Sequence, residues 1–207
     1  MTDTKLRELE RRWRETGSVE DEAAYLLERV RVGSLLTEHL ELAAFVGHAG
    51  AAAALNLPVL AVPRDCIELA RGLLNWGAEP LVGAVAAFAQ NGLFQTASPV
   101  SQSELLEAAL AALAWSRCPC ALHADLAACA SEKAAAAAIQ LVHEELFEAA
   151  AWARLAREAS WLAANLSSTE PPSPAALARA AKALEACDIE FVKHTACDWA
   201  LTARCVH

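Results

Sequence analysis

Apolar positions recur at helical spacing along almost the whole chain. Leu6, Leu9 and Trp13 fall at i, i+3 and i+7, which predicts a first helix over residues 4–15 with one apolar stripe. Thr16-Gly17-Ser18 then ends that helix and starts another. Gly17 suits a left-handed C-terminal position, and Ser18 with Asp21 has the spacing of a capping box. Glu20, Asp21 and Glu22 gather at the positive end of the second helix, Arg29 and Arg31 lie near its negative end, and Gly33 closes it.

Beyond Thr37, the stretch from Leu40 to Leu55 predicts a helix, a tight Gly47-His48 turn and a second helix. It resembles the middle of an ankyrin-type repeat, where a Leu-x-x-Ala-Ala helix meets a Gly-His turn. No second copy follows at an offset of about 33 residues and the Thr-Pro-Leu-His opening is missing, so a single hairpin packed through small residues is expected.

Asn56 to Pro63 reads as a proline-bounded connection, and Asp65 to Trp76 as a helix ending at Gly77. Pro80 stands in the first turn of a helix running to Asn91-Gly92, and Phe94 to Val100 reads as a loop. Ser101 with Glu104 forms a second capping box, followed by a Leu106, Leu110, Leu113 stripe up to a break at Pro119. Residues 121–165 hold neither glycine nor proline and are too long for one ordinary globular helix. Two helices are expected there, separated between Ser131 and Gln140. Ser173-Pro174 opens a last helical region, bent near Asp188.

The expected fold is all-α: stacked antiparallel helical hairpins, roughly nine to eleven helices, forming a compact bundle or a short irregular solenoid. The expected organisation is one helical domain over residues 1–165, a linker over 166–173 that contains Pro171 and Pro172, and a C-terminal helical region over 174–207 packed on the same core.

Composition sharpens this. Alanine occupies 50 of the 207 positions, and a residue with only a methyl group favours helices and lets them approach closely. Apolar residues make up 56% and charged residues 21%, which suits a packed core rather than disorder. The longest apolar stretches, 49–62 and 84–89, are interrupted or fall short of the ~20 residues that span a bilayer, so no membrane association is expected. The start, Met1-Thr-Asp-Thr-Lys-Leu-Arg-Glu, is charged from its third residue and lacks the apolar core of a signal peptide, which points to a cytoplasmic protein. A net charge of −9 repels phosphate backbones, so nucleic acid is not expected as a partner. Arg7, Arg11, Arg12 and Arg14 are interleaved with Glu8, Glu10 and Glu15 and read as a solvated helix face.

Seven cysteines, an odd number scattered over helical segments, suit reduced thiols better than a disulfide framework. The sharpest chemical cluster is Cys118-Pro119-Cys120-Ala121-Leu122-His123. Two thiols and an imidazole are zinc ligands by type, with Cys129 or a distant histidine as a fourth. The spacing is Cys-x-Cys, not the Cys-x-x-Cys of a zinc knuckle, and no second half follows. A helix N-terminus at Cys120 would favour its thiolate. The structural alternative is a proline turn beside which small thiols fill space.

A second group is Cys187, His194 and Cys197, with Cys205 and His207 beyond. Thiols one and two turns apart on an apolar face suit a core as well as a metal. His143-Glu144-Glu145 lacks the second histidine of a zincin site because Phe147 holds that place. Glu190 and His194 read as a surface i, i+4 pair. Phosphate-binding and serine-nucleophile motifs are missing, so no catalytic residue and no cofactor are expected, zinc being the one candidate ion. The six tryptophans fill gaps between alanine-lined helices. Trp152 and Trp161, nine apart on different sides of one helix, include a candidate interface anchor.

The run from Trp13 to Leu35, followed by Leu40 to His48, resembles a paralogous family of largely uncharacterised bacterial helical proteins, over residues 4–55. The stretches Ala109 to Trp115 and Cys118 to His123 resemble alanine-rich helical immunity proteins. That second resemblance implies a protein that neutralises a toxin by binding it, and implies no site residue. The expected function is a non-catalytic protein-binding module of this immunity type, its acidic surface suited to a basic toxin partner. The alternatives are a metal-binding or thiol-redox helical protein using Cys118, Cys120 and His123, and a self-assembling helical scaffold.

Overall fold

The computed structural model describes residues 2–58, 65–95, 102–166 and 173–202, and these form eleven α-helices with no strand among them. The helices are α1 (Thr2–Thr16), α2 (Val19–Arg31), α3 (Thr37–Phe45), α4 (Ala49–Ala54), α5 (Cys66–Leu74) and α6 (Glu79–Gln95), then α7 (Gln102–Arg117), α8 (Ala121–His143), α9 (Phe147–Asn165), α10 (Pro174–Glu185) and α11 (Ile189–Thr202). The all-α expectation holds. Ser101, Cys205, His207 and all of the 166–173 segment except Leu166 and Ser173 lie outside the described residues. None of the described helices is long and apolar enough to cross a membrane.

Contacts cluster into two compact units, Met1–Pro63 with Ala196–His207, and Arg64–Thr195. By this clustering α11 begins in the second unit and ends in the first.

In the first unit α2 packs on α1 and α4, and α3 on α4. Ser18 Oγ accepts from the Asp21 N–H at 3.1 Å, the cap the sequence called for. Trp13 on α1 stacks on Tyr25 of α2 with ring centroids 5.4 Å apart. The α3–α4 hairpin turns at Gly47, and His48 caps α4 by accepting the Ala51 N–H on Nδ1 at 3.1 Å. That bond explains why a histidine follows the glycine. The end of α11 is tied to α2 where Arg29 donates to the Leu201 carbonyl at 2.9 Å.

In the second unit α6, α7, α8 and α9 pack against one another as a bundle, with α10 lying on α5 and α9. Asp65 caps α5, Ser173 caps α10 just before Pro174, and the break near Asp188 appears as the start of α11, where Asp188 Oδ1 accepts from Glu190 N–H at 2.8 Å.

Three expectations are corrected here. The Leu106, Leu110, Leu113 stripe is not the buried face: α7 buries Leu105, Ala108, Ala109, Ala112 and Trp115, while Leu106 and Leu113 are half-buried and Leu110 is 47% exposed. Small residues let α7 close onto its neighbours, and the larger leucines are left at the rim. The long glycine-free stretch breaks after His143, not between 131 and 140. Glu145 takes φ +61°, Leu146 N–H reaches the Leu141 carbonyl at 2.9 Å and Glu145 N–H the Val142 carbonyl at 3.1 Å. This is a Schellman ending with glutamate where glycine is usual. Finally, α6 runs through Asn91-Gly92 to Gln95, so Phe94 is helical, because Gly92 provides a close approach rather than a stop.

Candidate thiol and imidazole site

Trp115 is buried at the end of α7, and Ser116 Oγ bonds back to the Leu113 carbonyl at 2.9 Å, so the helix is held firmly up to its last turn. Proline then stops it. Around Pro119 the chain reverses tightly, Cys120 N–H reaching the Cys118 carbonyl at 2.8 Å across an i to i+2 turn. Cys120 becomes the N-cap of α8, and His123 lies in the first turn of that helix.

This backbone gathers the three residues. One ligand atom each from Cys118, Cys120 and His123 lie within 4.8 Å of one another. His123 Nδ1 is 3.2 Å from Cys120 Sγ and 3.0 Å from the Cys118 carbonyl oxygen. Cys118 and Cys120 are solvent-exposed and His123 is half-buried.

The electrostatics separate the two thiols. The partial positive charge of the His123 backbone N–H, short of a full cap hydrogen bond, holds the Cys120 thiol below its ordinary value. The neighbouring Cys120 sulfur pushes the Cys118 thiol up. Cys120 is therefore the more readily ionised of the two thiols.

The donor set, two thiols and an imidazole, is of the type that holds a thiophilic cation. A tetrahedral zinc with bonds of ~2.3 Å to sulfur sets its ligand atoms roughly 3.5–3.8 Å apart, so these three need to draw in by about 1 Å at their widest pair. They lie on an exposed turn, where such an adjustment meets little packing. Three protein ligands leave a fourth position for water or an incoming donor.

The other sequence candidates are not drawn in. Cys129 is exposed further along α8, beside Lys133. Cys187 and Cys197 form no three-ligand group with His194 among the described residues. Burial pushes both thiols up to about 12, which keeps them protonated, and Cys187 Sγ donates to the Ala183 carbonyl at 3.3 Å. Glu144 accepts from Gln140 at 2.9 Å at the end of α8, and Glu190 pairs with Lys193 at 2.8 Å. Trp152 and Trp161 are both half-buried.

Sequence reading missed a second feature, a cleft between α9 and α10 that carries Arg154, Arg157, Arg179 and Lys182. The available signal was the i, i+3 spacing of two cations on each helix.

Comparison with protein-family models, with curated proteins and with solved structures finds no match to the chain.

Proposed function

We propose that this chain acts by binding rather than by catalysis, and that the Cys118, Cys120 and His123 centre holds a thiophilic divalent cation, zinc by ligand type. The observation that carries the reading is the convergence of two thiols and an imidazole within 4.8 Å on one turn. Soft thiolates with imidazole select zinc over magnesium or calcium. The openness of the centre suits binding: a catalytic zinc works in a shaped, water-excluding cavity, whereas both thiols here face solvent.

The test is a titration of reduced, metal-stripped protein with Co(II). A thiolate-to-cobalt absorption band that saturates at one equivalent and is displaced by zinc is expected. Cys118→Ser and Cys120→Ser should each remove it, and Cys129→Ser should not. Protein that shows no such band and carries no zinc when purified without added metal overturns the reading.

A second reading is favoured by Leu122 and Leu126, one turn apart on α8 beside the thiols and 66% and 52% exposed. An adjacent pair of exposed leucines suits a protein contact face. The partner is then a protein with a basic surface complementary to the net charge of −9, a toxin in the immunity reading. Co-expression with the product of the adjacent gene should restore growth that this product alone arrests, and Leu122→Ser with Leu126→Ser should abolish the rescue. A neighbour that is harmless by itself defeats the immunity reading.

A further inference from the structure

The groove between α9 and α10 is a cleft of about 730 Å³ within the second unit, a size suited to a small organic ligand. Its basic lining is unusual for a chain of net charge −9. Arg154 and Arg157 project from α9 and Arg179 and Lys182 from α10, and the only acid among the described lining residues is Glu158.

That carboxylate is already in use. Arg179 holds Glu158 through Nε and through Nη2, the latter at 3.0 Å, and lies over the Trp161 ring at 3.7 Å, so its position is fixed. Arg157 also approaches Glu158, at 3.9 Å. Arg154 and Lys182 are exposed and have no carboxylate partner among the described residues. The cleft therefore presents a surplus of cations above a floor of Leu155 and alanines. Unpaired like charges repel one another, and an anion seated between them relieves that repulsion.

We propose that this cleft is a binding site for a small soluble organic anion, with a phosphate or carboxylate head held between Arg154 and Lys182 and an apolar body lying on Leu155 and the alanine floor. A dianionic phosphate ester fits the surplus better than a monoanion, because two free cations are available to it. The site is separate from the thiol centre, so either proposal can fail without the other.

Calorimetric titration of the full chain with phenyl phosphate, benzoate and inorganic phosphate tests the assignment. Phenyl phosphate should bind with one-to-one stoichiometry and more tightly than either of the others, and its affinity should fall as salt rises. Arg154→Gln and Lys182→Gln should each weaken it by about fivefold or more. Both residues are exposed and unpaired, so the variants should keep the wild-type melting temperature. Arg14→Gln, on α1 outside the cleft, should bind like wild type.

Several outcomes overturn the proposal. Phenyl phosphate that fails to bind, or binds Arg154→Gln and Lys182→Gln undiminished, removes the site. Inorganic phosphate binding as tightly as phenyl phosphate removes the role of the apolar floor. Binding to phosphatidic acid vesicles without binding to phenyl phosphate in solution removes the soluble ligand in favour of a lipid headgroup.

Discussion

Gly92 of α6 lies directly under the indole of Trp152 on α9: a Cβ built on the glycine would collide with Cδ2, Cε2 and Cε3 of that ring. The same indole packs against Phe88 with ring centroids 5.3 Å apart, so it has little freedom to retreat. Gly92→Ala should therefore lower stability by about 1–3 kcal/mol, although alanine is the better helix former. Urea unfolding checks this. In the Trp152→Leu background the same substitution should be close to neutral or stabilising.

Glu145 is in the left-handed region at φ +61° at the end of α8. Glycine reaches that conformation without a Cβ penalty. Glu145→Gly should raise stability by about 1 kcal/mol, read as an upward shift of the urea midpoint. An unchanged or lowered midpoint would show that the turn carries no such strain.

Glu28 is 4% exposed, with Arg31 Nε at 2.9 Å and Lys5 Nζ at 3.0 Å. Hydrogen bonds from Arg31, aided by Lys5, hold its carboxyl at about 2 against an ordinary value of 4.5. The folded value is the lower one, so the stabilisation is complete above pH 4.5 and is lost as pH falls towards 2. Glu28→Gln should destabilise the protein at neutral pH, and the gap between variant and wild type should close at low pH. Unfolding midpoints measured for both proteins from neutral pH down to the lower limit read the effect directly.

The two leucines of α7 should behave in opposite ways. Leu105 is 2% exposed and Leu110 is 47% exposed. Leu105→Ala should cost about 2–5 kcal/mol, and Leu110→Ala should stay within about 0.5 kcal/mol. Equal losses in thermal unfolding would mean that the buried face has been assigned wrongly.

These cases mark how far the sequence could be read. The cap at Ser18 and the helix starts at Asp65 and Ser173 are legible because a short side-chain oxygen three residues ahead of a free N–H is a local device. The Gly47-His48 hairpin is legible for the same reason. The α8–α9 break is not, because its left-handed residue is a glutamate and tertiary packing alone selects the place. Gly92 misleads because one residue type serves both helix ends and close contacts. The buried face of α7 misleads because alanine weighs little in a hydrophobic pattern yet packs best here. Cys118, Cys120 and His123 are legible as a group because they lie within a single turn of chain. The cleft cations stand on two helices whose pairing no local pattern announces.

Helix faces lined by Ala108, Ala109 and Ala112 on α7, and by Ala127, Ala130 and Ala134 on α8, are almost wholly buried. Such surfaces have no long side chains that can rearrange when one of them changes. A truncation there removes little, whereas any enlargement must push whole helix axes apart. Substitution at these positions is consequently a one-way constraint: the bundle can absorb shrinkage at single sites but resists growth. Its evolutionary freedom is confined to the rims, to the exposed turn where the thiols stand and to the helix faces that carry the cleft cations.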